Sequence, residues 1–142
     1  MVDEIIEGIV AQIRTAYPNH QIYVDHVEQG LEQPCFFVRC VNQSHIPRLY
    51  KRHREDFLFE VLYYPEEEIR AECETVAYSL YDFLEHIPFQ SGMLRGEQRN
   101  SKVEEYVLHF FVSYSLFLVE TSTEEHMEEV KYIGEIKEGS NS

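Results

Sequence analysis

The sequence predicts an α+β fold: an antiparallel (mixed) sheet of about four to five strands with two helices packed on one face, in the order α-β-β-β-α-β-β. Three observations predict it. Two segments repeat apolar residues at helical spacing, and several others repeat them at every second position. The strand-like runs follow one another in succession, an order that suits antiparallel pairing with both helices on the same side.

Residues 2–16 open the chain as an amphipathic helix, with Ile5, Ile6, Ile9, Val10 and Ile13 on one stripe and Tyr17-Pro18-Asn19 closing it. In 21–25, Ile22 and Val24 alternate with Tyr23 and Asp25 as in a strand. A Glu28-Gln29-Gly30 turn and Pro34 lead into a strongly apolar strand at 35–41. Residues 42–54 show neither period and are expected to form a long connection, the kind that is usually functional. Residues 55–64 return as a strand with Phe57, Phe59, Val61 and Tyr63 on one side. Pro65 then opens a second helix whose first turn carries Glu66, Glu67 and Glu68, and which Pro88 ends. Its buried face is expected from Ile69, Cys73, Val76, Ala77, Leu80, Phe83, Leu84 and Ile87. A short strand around 93–99 turns through Asn100-Ser101-Lys102 into the long run 103–119. Tyr106, Leu108, Phe110, Val112, Tyr114, Leu116 and Leu118 line its core side. A strand about three times the mean length must bend or project. Residues 1–119 are thus expected as a single domain, and 120–142 as an acidic tail, mobile or docked on a neighbour, with seven acids against two bases.

The 142 residues suffice for one core, and 44% apolar content excludes a disordered chain. The opening MVDEIIEGIVAQI has neither a positive n-region nor a cleavage site, so a soluble cytosolic protein with no membrane partner is expected. Cys35, Cys40 and Cys73 lack Cys-x-x-Cys spacing, and Cys35 and Cys40 project from opposite faces of one strand, so free thiols are expected. A formal net charge of −14 argues against a chain that coats nucleic acid. Residues 45–54 nevertheless hold four bases and no acid, leaving 8 bases against 26 acids elsewhere. Such a surface repels DNA over most of its area and offers one cationic patch to an acidic partner.

No enzyme emerges from the motifs. A glycine-rich phosphate loop and a nucleophile elbow are both absent. His20, His26, His45 and His53, with Cys35 and Cys40, match no zinc-site spacing. The acidic clusters at 66–74 and 124–129 read as solvated turns. Catalytic residues, cofactors and metals are therefore not expected. Two features invite contact instead. The first is the basic stretch His45, Arg48, Leu49, Tyr50, Lys51, Arg52, His53 and Arg54, whose mix of apolar and Arg side chains suits an interface, with a solvated hairpin as the alternative. The second is a strand face carrying Phe37, Arg39, Phe111 and Phe117, which suits subunit contact unless the C-terminal tail covers it.

Several segments carry a family resemblance: Tyr23-Val24-Asp25, Val27-Glu28-Gln29-Gly30-Leu31, Pro34-Cys35-Phe36-Phe37-Val38, the run FLFEVLYYP at 57–65, and Leu108-His109-Phe110-Phe111-Val112-Ser113-Tyr114. Over residues 1–119 the chain resembles the small tail terminator proteins of long-tailed phages and of prophages in Gram-positive bacteria. The resemblance implies a ring on the head-proximal end of the tail tube, a hexamer on assembly and a monomer when free. It implies the tail tube protein and neck or connector proteins as partners, and DNA passing through the lumen without specific binding. It also implies assembly in the cytoplasm of the bacterial host, then residence in the virion tail. Reversing charge at Arg52 and Arg54 is expected to spare folding and abolish assembly. The alternatives are a neck or head-completion protein and, from another class, a non-viral acidic adaptor.

Overall fold

The computed structural model describes residues 1–26, 30–122 and 128–133, with backbone only for 120–122 and 128–133. The elements are helix α1 (Val2–Ala16), strands β1 (Gln21–Val24), β2 (Cys35–Arg48) and β3 (Arg52–Tyr64), and helix α2 (Arg70–Phe83). Strands β4 (His86–Phe89), β5 (Gly92–Arg95), β6 (Glu97–Glu104), β7 (Val107–Ser122) and β8 (Glu128–Ile133) follow. The α+β reading holds: a mixed sheet runs β1-β2-β3-β7-β6, β8 pairs with the distal end of β7, and β4-β5 form a separate hairpin.

Alternation along the two central strands builds the core. Phe57, Phe59, Val61 and Tyr63 of β3 lie opposite Tyr114, Val112, Phe110 and Leu108 of β7, and all eight are buried. Against that face α1 lays Ile5, Ile6, Ile9 and Ile13, and α2 lays Cys73, Val76, Ala77 and Leu80. Burying each such aliphatic side chain stabilises by roughly 1.5–3 kcal/mol, an upper estimate. Polar ties lock the layers. Gln12 Nε2 donates to the Phe83 carbonyl (2.9 Å), and the buried Tyr114 hydroxyl donates to the Leu84 carbonyl (2.7 Å). At Gly8 the first helix approaches β4 so closely that a Cβ would strike the Pro88 carbonyl oxygen, which explains a glycine inside a helix.

Four local expectations are corrected. Residues 42–54 form no long connection. They are the end of β2, a turn, and the start of β3, paired from Asn42↔Leu58 to Arg48↔Arg52. The strand was hidden because both of its faces are polar there, which removes the period-two signal. Helix α2 starts at Arg70, since Ile69 is extended (φ −120, ψ 119). Glu72 in the first turn accepts from the Tyr63 hydroxyl (2.6 Å) and the Glu66 amide (3.1 Å), which ties this end of the helix to β3 and to the segment before it without capping a helical amide. Glu66, Glu67 and Glu68 therefore precede the helix. Ile87 and Pro88 lie beyond its end, in β4, where Pro88 faces Met93. The β6–β7 turn falls at Glu105 and Tyr106 (φ 50 and 62), and Asn100-Ser101-Lys102 pair within the ladder.

Strand β1 runs parallel to β2, in register Gln21↔Cys35 to Val24↔Val38. Two residues of the expected Glu28-Gln29-Gly30 turn lie outside the described residues. Strand pairing crosses the 119/120 position, because β7 continues to Ser122 and β8 pairs with it. The remainder of the expected acidic tail, 123–127 and 134–142, lies outside the described residues.

Candidate assembly interface

A single extra residue decides which side chains meet on the open face of the sheet. Up to Cys40, the odd residues of β2 (Phe37, Arg39) point away from the helices, because Phe36 and Val38 belong to the core. A β-bulge between Cys40 and Asn42 inverts that parity. Beyond it, Ser44, Ile46 and Arg48 share the open face with Arg52, Arg54 and Asp56, while His45 and Pro47 turn to the helix side with His53 and Glu55. On β7, His109, Phe111, Ser113, Ser115 and Phe117 complete the open face through the pairs Leu62↔His109, Glu60↔Phe111 and Arg54↔Phe117.

The two groups that the sequence singled out separately thus lie on one surface. Phe37, Arg39, Phe111 and Phe117 occupy its length, and Arg48, Arg52 and Arg54 occupy its hairpin end. The Arg48 guanidinium sits 5.8 Å from the centre of the Phe117 ring, joining the groups directly. Leu49, Tyr50 and Lys51 form the tip. Leu49 is 79% and Tyr50 88% exposed. Strands of 13 to 16 residues are roughly 45–50 Å long, about twice the length of the helices packed on them, so the tip reaches past the helical layer.

The turn itself is under backbone strain. Tyr50 and Lys51 hold φ of 60 and 58, and the Arg52 amide donates to the Leu49 carbonyl (3.3 Å). Positive φ at both central positions is the type I′ pattern, which favours Asn-Gly and costs other residues roughly 1–2 kcal/mol each. His45 and His53 belong elsewhere: their rings stack on the helix side at 4.2 Å between centroids, and His53 is buried.

Arg54 is not a free cation. Its Nη2 donates to Asp56 Oδ2 (2.8 Å), and the Ser115 hydroxyl donates to Asp56 Oδ1 (2.6 Å). Its Nε is buried with no partner among the described residues. Charge reversal there would disturb the sheet itself, so the expectation that folding survives reversal is restricted to exposed Arg52.

Sequence reasoning missed the centre of this face. Glu60 is 4% exposed and accepts from Arg39 Nε (2.9 Å) and Nη2 (2.7 Å) and pairs with His109 Nδ1 (2.9 Å). Burial alone would raise its pKa. The hydrogen bonds from His109 and Arg39 and the Arg39 charge outweigh burial and hold the carboxyl below its ordinary value. The signal was present: one acid inside the apolar run FLFEVLYY, at a position facing away from the core, needs a cationic partner. Elsewhere, burial pushes the Cys35 thiol up to about 11, and all three cysteines are free.

Among the described residues no helix is long and apolar enough to cross a membrane. No curated protein matches the chain. Among solved structures, a chain of the "Virion of native gene transfer agent (GTA) particle" aligns with a TM-score of 0.48 at 13% identity, covering 77% of this chain and 90% of that one. The family model described as "Phage tail terminator protein" matches residues 4–127, which takes in both helices and the whole open sheet face as far as β7. The chain is a member of the phage tail terminator protein family.

Proposed function

We propose that this chain caps the head-proximal end of a tail tube as a ring, stops tube polymerisation and provides the surface for head joining. The observation that carries this reading is the hairpin tip: exposed Leu49 and Tyr50 on a strained turn, backed by Arg48, Lys51 and Arg52 in a molecule of net charge −14. Strain of this kind persists where function maintains it. An apolar pair ringed by cations suits an acidic surface on the tube or on a neighbouring subunit. Half-buried Phe37, Phe111 and Phe117, with the Arg39–Glu60 pair, would pack adjacent subunits of a hexamer. An acidic lumen wall would let DNA pass without adhering. Residues 120–142 would add an acidic segment at a neighbour's surface. The protein would assemble in the host cytoplasm and remain in the virion tail, acting by binding and geometry rather than catalysis.

The test is electron microscopy of purified chain mixed with the tail tube protein of the same genome. Shortened tubes ringed at one end are expected with the natural sequence. Unchanged tubes are expected with Tyr50→Ser/Arg52→Glu, whose exposed positions leave the fold intact. Tubes that stay uncapped with the natural sequence, while isolated connectors bind it, would move the protein to the neck.

A further inference from the structure

The hairpin register gathers three metal-ligating side chains that lie apart in sequence. His45 stands directly opposite Glu55 across β2 and β3, and His53 lies two residues before Glu55 on the same face. One ligand atom from each falls within 4.8 Å of the other two. Each Glu55 oxygen addresses a different ring: Oε1 lies 3.9 Å from His45 Nδ1, and Oε2 lies 3.8 Å from His53 Nε2. These distances are too long for hydrogen bonds. They approach the spacing between neighbouring ligands around an ion that sits roughly 2.0–2.2 Å from each. Gln43 Nε2 makes a long contact (3.5 Å) to the same Glu55 oxygen that faces His45, and His53 is largely buried, with a side chain 10% exposed.

We infer that His45, His53 and Glu55 form a binding site for a divalent transition metal, zinc by ligand class, that clamps β2 to β3 behind the exposed tip. Two imidazoles and one carboxylate are a donor set suited to Zn²⁺, with a fourth position left open. Carboxylate-only cation sites of the Mg²⁺ or Ca²⁺ kind lack the nitrogen donors found here. The two rings stack at 4.2 Å, so closing all three donors on one ion requires one imidazole to turn out of the stack about its side-chain torsions. Spacing along the chain could not reveal the site, because the cross-strand pairing, not a sequence motif, makes it. The inference does not depend on tube capping: a metal clamp at the hairpin stands or falls whatever the tip contacts.

The experiment is calorimetric titration of the untagged full-length chain, stripped of metal, with zinc in a non-coordinating buffer. Co²⁺ replaces zinc in a parallel visible-absorption titration. Saturable binding of one ion per chain is expected, with Co²⁺ bands of the low-symmetry, four-coordinate type and a rise in Tm on zinc addition. His45→Ala keeps the fold, because that side chain is 56% exposed. Losing a direct ligand should weaken binding by at least the roughly 10–100-fold that loss of a supporting partner costs. Glu55→Gln should do the same. Absence of saturable binding at micromolar zinc, or affinity unchanged in both His45→Ala and Glu55→Gln, would overturn the assignment.

Discussion

Glu60 shows how one buried side chain fixes the chemistry of an open sheet face. Its carboxylate is taken out of water and repaid by three hydrogen bonds, two from Arg39 and one with His109. Removing one member of a fully buried charge pair costs about 3–5 kcal/mol, but Arg39 is half exposed and can recover water. Glu60→Gln should therefore destabilise by a smaller amount, about 1.5–3 kcal/mol, the worth of hydrogen bonds to a charged group. The folded carboxyl titrates below its unfolded value. Its stabilisation is complete above the ordinary glutamate pKa and disappears as the pH falls through the lowered folded value. Denaturant unfolding at neutral and acid pH should show the natural chain and Glu60→Gln converging as pH drops. A gap that stays constant with pH would mean the charge contributes nothing.

The hairpin formed by β2 and β3 turns that residue-scale pattern into a surface. Its turn is the element's weak point, with Tyr50 and Lys51 both at positive φ. Tyr50→Asn/Lys51→Gly supplies the residues a type I′ turn prefers and should stabilise the isolated chain by about 1–2 kcal/mol, seen as a higher denaturation midpoint. The same change removes an exposed ring and a cation, so tube capping should fall as stability rises. A variant that gains stability and keeps capping would show that the tip side chains make no contact. The elements differ in how far they could be read from sequence, and the reasons are physical. Central strands β3 and β7 were legible because one face is buried along their whole length, from Phe57 to Tyr63 and from Leu108 to Leu118. The hairpin was illegible because its faces are polar and its turn is Tyr-Lys, with no Gly or Asn to announce positive φ. Glu105-Tyr106 concealed the β6–β7 turn in the same way. The basic and aromatic residues could each be named from sequence, but their union on one face depends on the bulge before Asn42, which no local pattern reveals.

Across the whole molecule, charge acts in two opposing directions. The net charge of −14 makes the compact chain repel itself, while Arg48, Lys51 and Arg52 concentrate positive potential at one end of the sheet. Added salt weakens both effects, since the screening length falls from roughly 30 Å at 0.01 M to about 3 Å at 1 M. A pair with one buried member, such as Arg39–Glu60, is screened less than exposed charges, so the self-repulsion of exposed carboxylates should dominate the salt response of folding. The Tm of the isolated chain should consequently rise as sodium chloride increases. Capping depends on attraction between the cationic end and an acidic partner, so the fraction of capped tubes should fall over the same range. Measuring both on one preparation separates the two effects, because a general loss of structure would move them together. Capping that strengthens with salt would identify apolar packing through Phe37, Phe111 and Phe117, rather than the hairpin cations, as the dominant contact.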